Sequence, residues 1–193
     1  MKTAFLIIFF WLNVIITTAQ NGLAGIYISA DDFTKQKLSF ASQEGKKYKI
    51  RLKIRNSGST IRIMREDSVV ISSTDSIFGY RDRTQKDFRF YNDEHHYYRI
   101  VEAKGIVLYT AFVRQYNSSG KTFLLVPAFF FSATLRSPIF PLTIEYLEKA
   151  FPDNLKFHDM LEVTFPNSVG LEAYAPDHQS YLVNYLLYKS LNK

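Results

Sequence analysis

From Gly25 to about Ser132 the apolar residues recur at every second position, and after Pro138 they recur at helical spacing. A period of two signals half-buried strands, so this change divides the chain into a β-rich part and a helical part. The clearest alternation is Lys47 to Arg55. There Tyr48, Ile50, Leu52 and Ile54 fall on one face, and Lys49, Arg51, Lys53 and Arg55 on the other. Asn56-Ser57-Gly58-Ser59 supplies a turn, and 60–65 returns as a second strand with Ile61 and Ile63 inward, a hairpin. Further strands are expected at 25–28, 69–73, 76–80, 87–91, 97–102, 106–113 and 122–126. The breaks between them carry turn chemistry, as in Asp82 to Lys86 and Ala103-Lys104-Gly105. Short strands at this spacing predict an antiparallel β-meander, a curled sheet or a partial barrel.

Helix signals are local and specific. Ser29 and Asp32 have capping-box spacing, with Asp in place of Glu. Thr143 is placed to cap a helix over 144–151 that Pro152 ends; a second is expected over 155–165, stopped by Pro166, and a third over 176–191. The expected fold class is therefore α+β, the meander followed by a C-terminal cluster of about three helices. No Gly/Ser linker separates the parts, so 20–193 reads as one domain, β-rich over 25–135 and helical over 141–191.

What precedes that domain looks removable. Lys2 gives a positive start, 4–16 is apolar but for Asn13, and Thr17-Thr18-Ala19 offers a small-residue exit. This is the order of a secretory signal peptide, 1–19, and its apolar run is too short to span a bilayer of about 30 Å. No transmembrane segment is expected in the mature chain. Removing 19 of the 193 residues leaves 174, enough to bury about two-thirds of the unfolded surface. Cysteine is absent, which excludes a disulfide framework, thiol chemistry and thiolate metal sites. Stability has to come from packing, and 17 Phe with 13 Tyr supply it. Losing Lys2 lowers the formal charge from +6 to +5, a weak bias towards acidic surfaces. Export makes nucleic acid a poor partner.

Sites of chemistry are sparse. Ser119-Gly120-Lys121-Thr122 ends like a phosphate loop, but Gln115 stands where the earlier glycine belongs and a strand follows where a helix is needed, so a hairpin loop is expected. Asn117-Ser118-Ser119 fits a glycosylation acceptor. His95 and His96 read as a solvated loop. His158 and Glu162, four apart on a helix, read as a surface ion pair, and Asp177-His178 as the first turn of the third helix. No nucleophile elbow is present. The expectation is no catalytic residue, no cofactor and no metal.

Two surface patterns remain. Lys49, Arg51, Lys53 and Arg55, with Arg62 across the hairpin, form a basic ribbon. It is a candidate anion-binding surface, although a guard against strand pairing at an edge is the simpler account. Gly79-Tyr80-Arg81-Asp82, Phe88-Arg89-Phe90-Tyr91 and Tyr97-Tyr98-Arg99 interleave aromatics with arginine. They read either as a stacking surface for sugar rings or as a sheet with one packed and one wet face, the latter being the simpler account.

The segments 25–33, 78–82, 88–91 and 142–165, with the Ala19-Gln20 exit, resemble those of small exported proteins of unknown function from Bacteroidetes-type Gram-negative bacteria. The resemblance implies a periplasmic or extracellular setting, which disfavours glycosylation at Asn117. It carries over no activity, cofactor or site residue. The leading expectation is a non-enzymatic envelope or secreted protein with a binding or structural role. Its partner would be an acidic glycan, an anionic membrane surface or a protein. The alternatives are a hydrolase acting on cell-wall or glycan material, and an inhibitor or immunity-type protein.

Overall fold

A computed structural model describes residues 24–41, 48–53, 60–65, 68–93, 97–118 and 120–192. The expected leader 1–19, Arg55, His95 and His96 lie outside them. Strand β1 (Gly25–Tyr27) leads into helix α1 (Ala30–Thr34). The Ser29 hydroxyl accepts from the Asp32 N–H and the Asp32 carboxylate accepts from the Ser29 N–H, so the expected capping box forms and satisfies two orphan donors.

The lysine-rich strand pairs with 60–65 as expected, Arg51 opposite Arg62, but the pair leaves the meander. Strands β2 (Tyr48–Lys53), β3 (Thr60–Arg65) and β4 (Ser68–Ser73) make a three-stranded sheet of their own. Ile61 and Ile63 are buried as their alternation predicts, and they pack with Ile26, Ile77 and Phe90.

Strand β1 and the next six strands form one open antiparallel sheet. Its members are β5 (Gly79–Arg81), β6 (Asp87–Phe90), β7 (Tyr97–Glu102), β8 (Val107–Tyr116), β9 (Phe123–Ser132) and β10 (Phe140–Pro141). The order is β1-β5-β6-β7-β8-β9-β10, a meander with β1 added at one edge. The strand expected at 76–80 begins only at Gly79. Before it, Ser73 accepts from the Asp75 N–H and winds Thr74–Ser76 into a single tight turn.

Helices α2 (Ile144–Ala150) and α3 (Leu155–Thr164) follow. Thr143 caps α2 through the Tyr146 N–H, as its position predicts. The third helix is shorter than expected. Pro176–His178 forms one turn, Gln179 takes a left-handed conformation at φ 47°, and strands β11 (Tyr174–Ala175) and β12 (Ser180–Tyr181) pair across it. Helix α4 starts at Leu182 and runs to Leu191. Asp177 and His178 therefore sit outside α4.

Alternation assigns the two sides of the large sheet. Leu108 and Phe131 pack against Leu147, Phe157, Leu161, Val183 and Leu186 of the helices. Their neighbours Val107, Tyr109 and Phe130 pack on the other side with Tyr98 and Ile139. Full burial of each such side chain contributes about 1.5–3 kcal/mol. One polar node fixes α4 to the β7–β8 turn. Asn184 accepts from the Ile106 N–H at 2.9 Å and donates to Glu102 at 2.7 Å and to the Ile106 carbonyl at 3.0 Å. Gly105 turns there at φ 75°, and a Cβ on it would stand 2.7 Å from Asn184 Oδ1.

Candidate functional site

Strands β8 and β9 pair over ten rungs, from Val107↔Ser132 to Tyr116↔Phe123. Neighbouring strands cover only the base. Strand β7 reaches Thr110, and β10 reaches Phe130. Beyond those points the hairpin is an arm. The turn at its tip closes by Asn117 N–H to Thr122 C=O at 2.9 Å, with Gly120 at φ 67°. The expected loop at 119–122 is thus a hairpin loop and not a phosphate cradle, with Ser119 itself outside the described residues.

The arm is apolar where it is exposed. Phe112 is 66% exposed, Tyr116 55%, Phe123 47%, Leu124 72% and Leu125 58%. Phe112, Arg114 and Tyr116 share one face with Phe123, Leu125 and Pro127 across the ladder, while Gln115 and Leu124 lie on the other. Arg114 sits over the Phe123 ring at 5.1 Å, and Tyr116 meets the same ring at 5.7 Å. Large apolar side chains on this scale expose several hundred Å² together, more than scattered surface residues account for. Among the described residues no helix is long and apolar enough to cross a membrane.

The arginine–aromatic segments split by face. Tyr80 stacks on Phe88 at 4.8 Å and on Phe90 at 5.5 Å, and Phe88 meets Tyr97 edge-on. Arg81 and Arg89 turn the other way and are used structurally, whereas Arg99 stands opposite Phe88 on the aromatic face and is exposed. Arg81 donates twice to Asp87 at 2.8 Å, and Tyr27 donates to the same carboxylate at 3.0 Å. The Arg81 guanidinium is held above its ordinary range by its hydrogen bonds to Asp87. Burial, reinforced by the Asp87 charge, pushes the Tyr27 phenol up as well.

Arg89 is buried at 6% exposure. It donates to Tyr109 Oη at 2.9 Å, to Ser132 Oγ at 3.3 Å and to the Ser137 carbonyl at 2.9 Å. The Phe78, Tyr91 and Tyr109 rings surround its charge at 5.5–5.9 Å. No described carboxylate pairs with it. Three neutral acceptors and three ring faces offset the desolvation of the cation. Burial raises the Tyr109 phenol, so it remains a neutral partner. The face expected to be wet at Arg81 and Arg89 is in fact a covered one, while Arg99 is exposed.

The other residues singled out by the sequence do not converge. In the basic ribbon Arg51 stands opposite Arg62 in register, Lys49 opposite Met64 and Lys53 opposite Thr60. Arg62 is exposed. His158 contacts the Phe151 carbonyl at 2.9 Å, replacing the expected ion pair with Glu162: the helix start brings the ring back onto the preceding turn. His178 stacks on Tyr185 at 3.6 Å. A depression of about 310 Å³ lies between Thr74, Asp75, Ile77, Phe90, Tyr91 and Asn92, with a single carboxylate in its wall. Among the described residues no three metal-ligating side chains gather.

Phe112, Tyr116, Leu124 and Leu125 were invisible as site residues because they look like core. A second signal was available in the charge pattern: no Asp or Glu occurs from Ala103 to Ile144, whereas Lys104, Arg114, Lys121 and Arg136 do. No protein-family model, curated protein or solved structure matches the chain.

Proposed function

We propose that the protein is an exported, non-enzymatic binding component of a bacterial envelope or its surroundings, and that the β8–β9 arm is its contact surface. The observation that carries this reading is the arm itself. It exposes a cluster of aromatic and leucine side chains at the end of a ladder whose base is firmly packed. Apolar surface of this extent on a soluble body is stabilised by being covered.

The setting follows from the charge–apolar–small order of 1–19 and from the resemblance to small exported proteins of Bacteroidetes-type bacteria, which favour the periplasm or the exterior. The polar groups of the body support a binding role over hydrolysis. Both described histidines are engaged, one by a carbonyl and the other by a ring. Hydrolysis by an imidazole base needs that ring oriented and free for substrate.

Two measurements test the reading. The mass of the protein recovered after export should correspond to a chain beginning at Gln20. Native protein should be retained on an isolated envelope fraction, and a Leu124→Ser/Leu125→Ser variant should be released from it. Equal retention of the two forms would refute the role of the arm.

A further inference from the structure

We infer that the arm docks on an anionic lipid surface, its apolar tip entering the headgroup–acyl boundary and Arg114 and Lys121 pairing with lipid phosphates. This rests on the binding reading above and names the partner.

Three observations favour lipid over another protein. The first is charge. The acid-free run 103–144 includes the whole arm, and its distal cations, Arg114 and Lys121, are exposed with no described carboxylate paired to either. Cations beside an anionic leaflet are each worth about fivefold in affinity. A tip carrying only positive charge is complementary to such a leaflet.

The second is the distribution of apolar groups over both sides of the ladder. Phe112, Phe123 and Leu125 lie on one face and Leu124 on the other, all exposed. A flat protein partner covers one face. A lipid interface surrounds an inserted tip and covers both.

The third is the state of the edge. The Phe129 carbonyl accepts from the Leu142 N–H, so Phe129 directs its backbone groups outward from the β8–β9 pair. Two residues further along the strand, Pro127 occupies the same phase and has no N–H to offer. Proline at an outward position blunts an edge against strand addition. This disfavours a second copy pairing along β9. It also limits depth, because unpaired edge groups are costly in hydrocarbon. Insertion therefore stops at the interface, where aromatic rings and basic side chains are at home.

The test uses the full chain, produced with its own leader and purified as processed. Co-sedimentation is measured with vesicles of phosphatidylglycerol and phosphatidylethanolamine, and with vesicles of phosphatidylcholine alone. Native protein should sediment with the anionic vesicles, lose binding as salt is added, and stay in the supernatant with phosphatidylcholine vesicles. Leu124→Ser/Leu125→Ser should weaken binding about tenfold or more, and Arg114→Gln/Lys121→Gln about 25-fold. Lys49→Gln/Arg51→Gln in the separate ribbon should change it little. Unchanged thermal unfolding of the arm variants excludes misfolding as the cause.

Equal vesicle binding by native and leucine variants, or equal binding to both lipid compositions, overturns the inference. So does a native dimer that the leucine variant converts to monomer, which would make a second copy the occupant. If native protein ignores vesicles yet the leucine variant leaves the envelope fraction, a protein or glycan partner holds the arm. The lipid assignment then falls and the proposed function stands. If envelope retention is also indifferent to the arm, both fall.

Discussion

The two ends of the β8–β9 ladder are built from the same kinds of residue and have opposite fates. At the base, Leu108 and Phe131 are 0% exposed and packed by helices α2 to α4, while at the tip Leu124 and Phe112 face solvent. Pairing and register are continuous from one end to the other. Burial of an apolar side chain is therefore decided by what covers the ladder and not by the strand that carries it. An uncovered strand of this composition leaves its apolar surface open to contact.

Substitutions at the two ends should separate most widely in stability. Phe131→Ala is expected to cost about 3–5 kcal/mol, the sum of lost transfer energy and a residual cavity. Its signature is a lower urea midpoint. A cost under about 1 kcal/mol would mean that the base is no better packed than the tip.

Alkaline pH should attack the body in turn. Burial raises the Tyr80 phenol above the ordinary tyrosine range, and Tyr27 and Tyr109 are raised mainly by the same cause. In the unfolded chain these phenols ionise near pH 10, so above that pH the folded state binds more protons and stability falls as pH rises. The decline should approach about 1.4 kcal/mol per pH unit for each such tyrosine. Denaturant melts from about pH 8 to about pH 11 would measure it. Tyr80→Phe should make the slope shallower, and an unaltered slope would count against a buried phenol at that position.

A smaller effect is expected at the covered cation. Tyr109→Phe leaves an Arg89 N–H short of an acceptor and should cost about 1–3 kcal/mol at neutral pH. The loss should be smaller if Ser132 takes over the donor, which a Tyr109→Phe/Ser132→Ala cycle would reveal as non-additivity. Smallest of all is Leu125→Ser at the tip, within about 0.5 kcal/mol of native by the same melts. A large loss there would show that the tip is part of the core after all.

What could be read beforehand follows the same division. The capping residues Ser29 and Thr143 act within one turn, so their sequence context contained all the information they needed. The alternation in 48–53 and 60–65 likewise marked two strands that pair. The stretch Phe129-Phe130-Phe131 offered no alternation, because Phe130 packs on one side of the sheet and Phe131 on the other. For that reason β9 was expected to end at 126, although it continues to Ser132. Arg89 alternates with Phe88 and Phe90 as a solvated residue would, and only the fold brings Tyr109 and the 132–137 segment over it. The separation of β2–β4 into a second sheet, and the exposure of the tip, depend on long-range coverage that no local pattern encodes.

The crossing from β8 to β9 lies at the farthest point from the buried rungs. A cut in the peptide bond after Lys121 would leave the lower ladder, the helices and the two smaller sheets undisturbed. A single cleavage there should yield two fragments in denaturing gels that travel as one particle in native ones. The same bond is then a natural place to open new termini, or to graft a reporter, without asking the body to refold around the change.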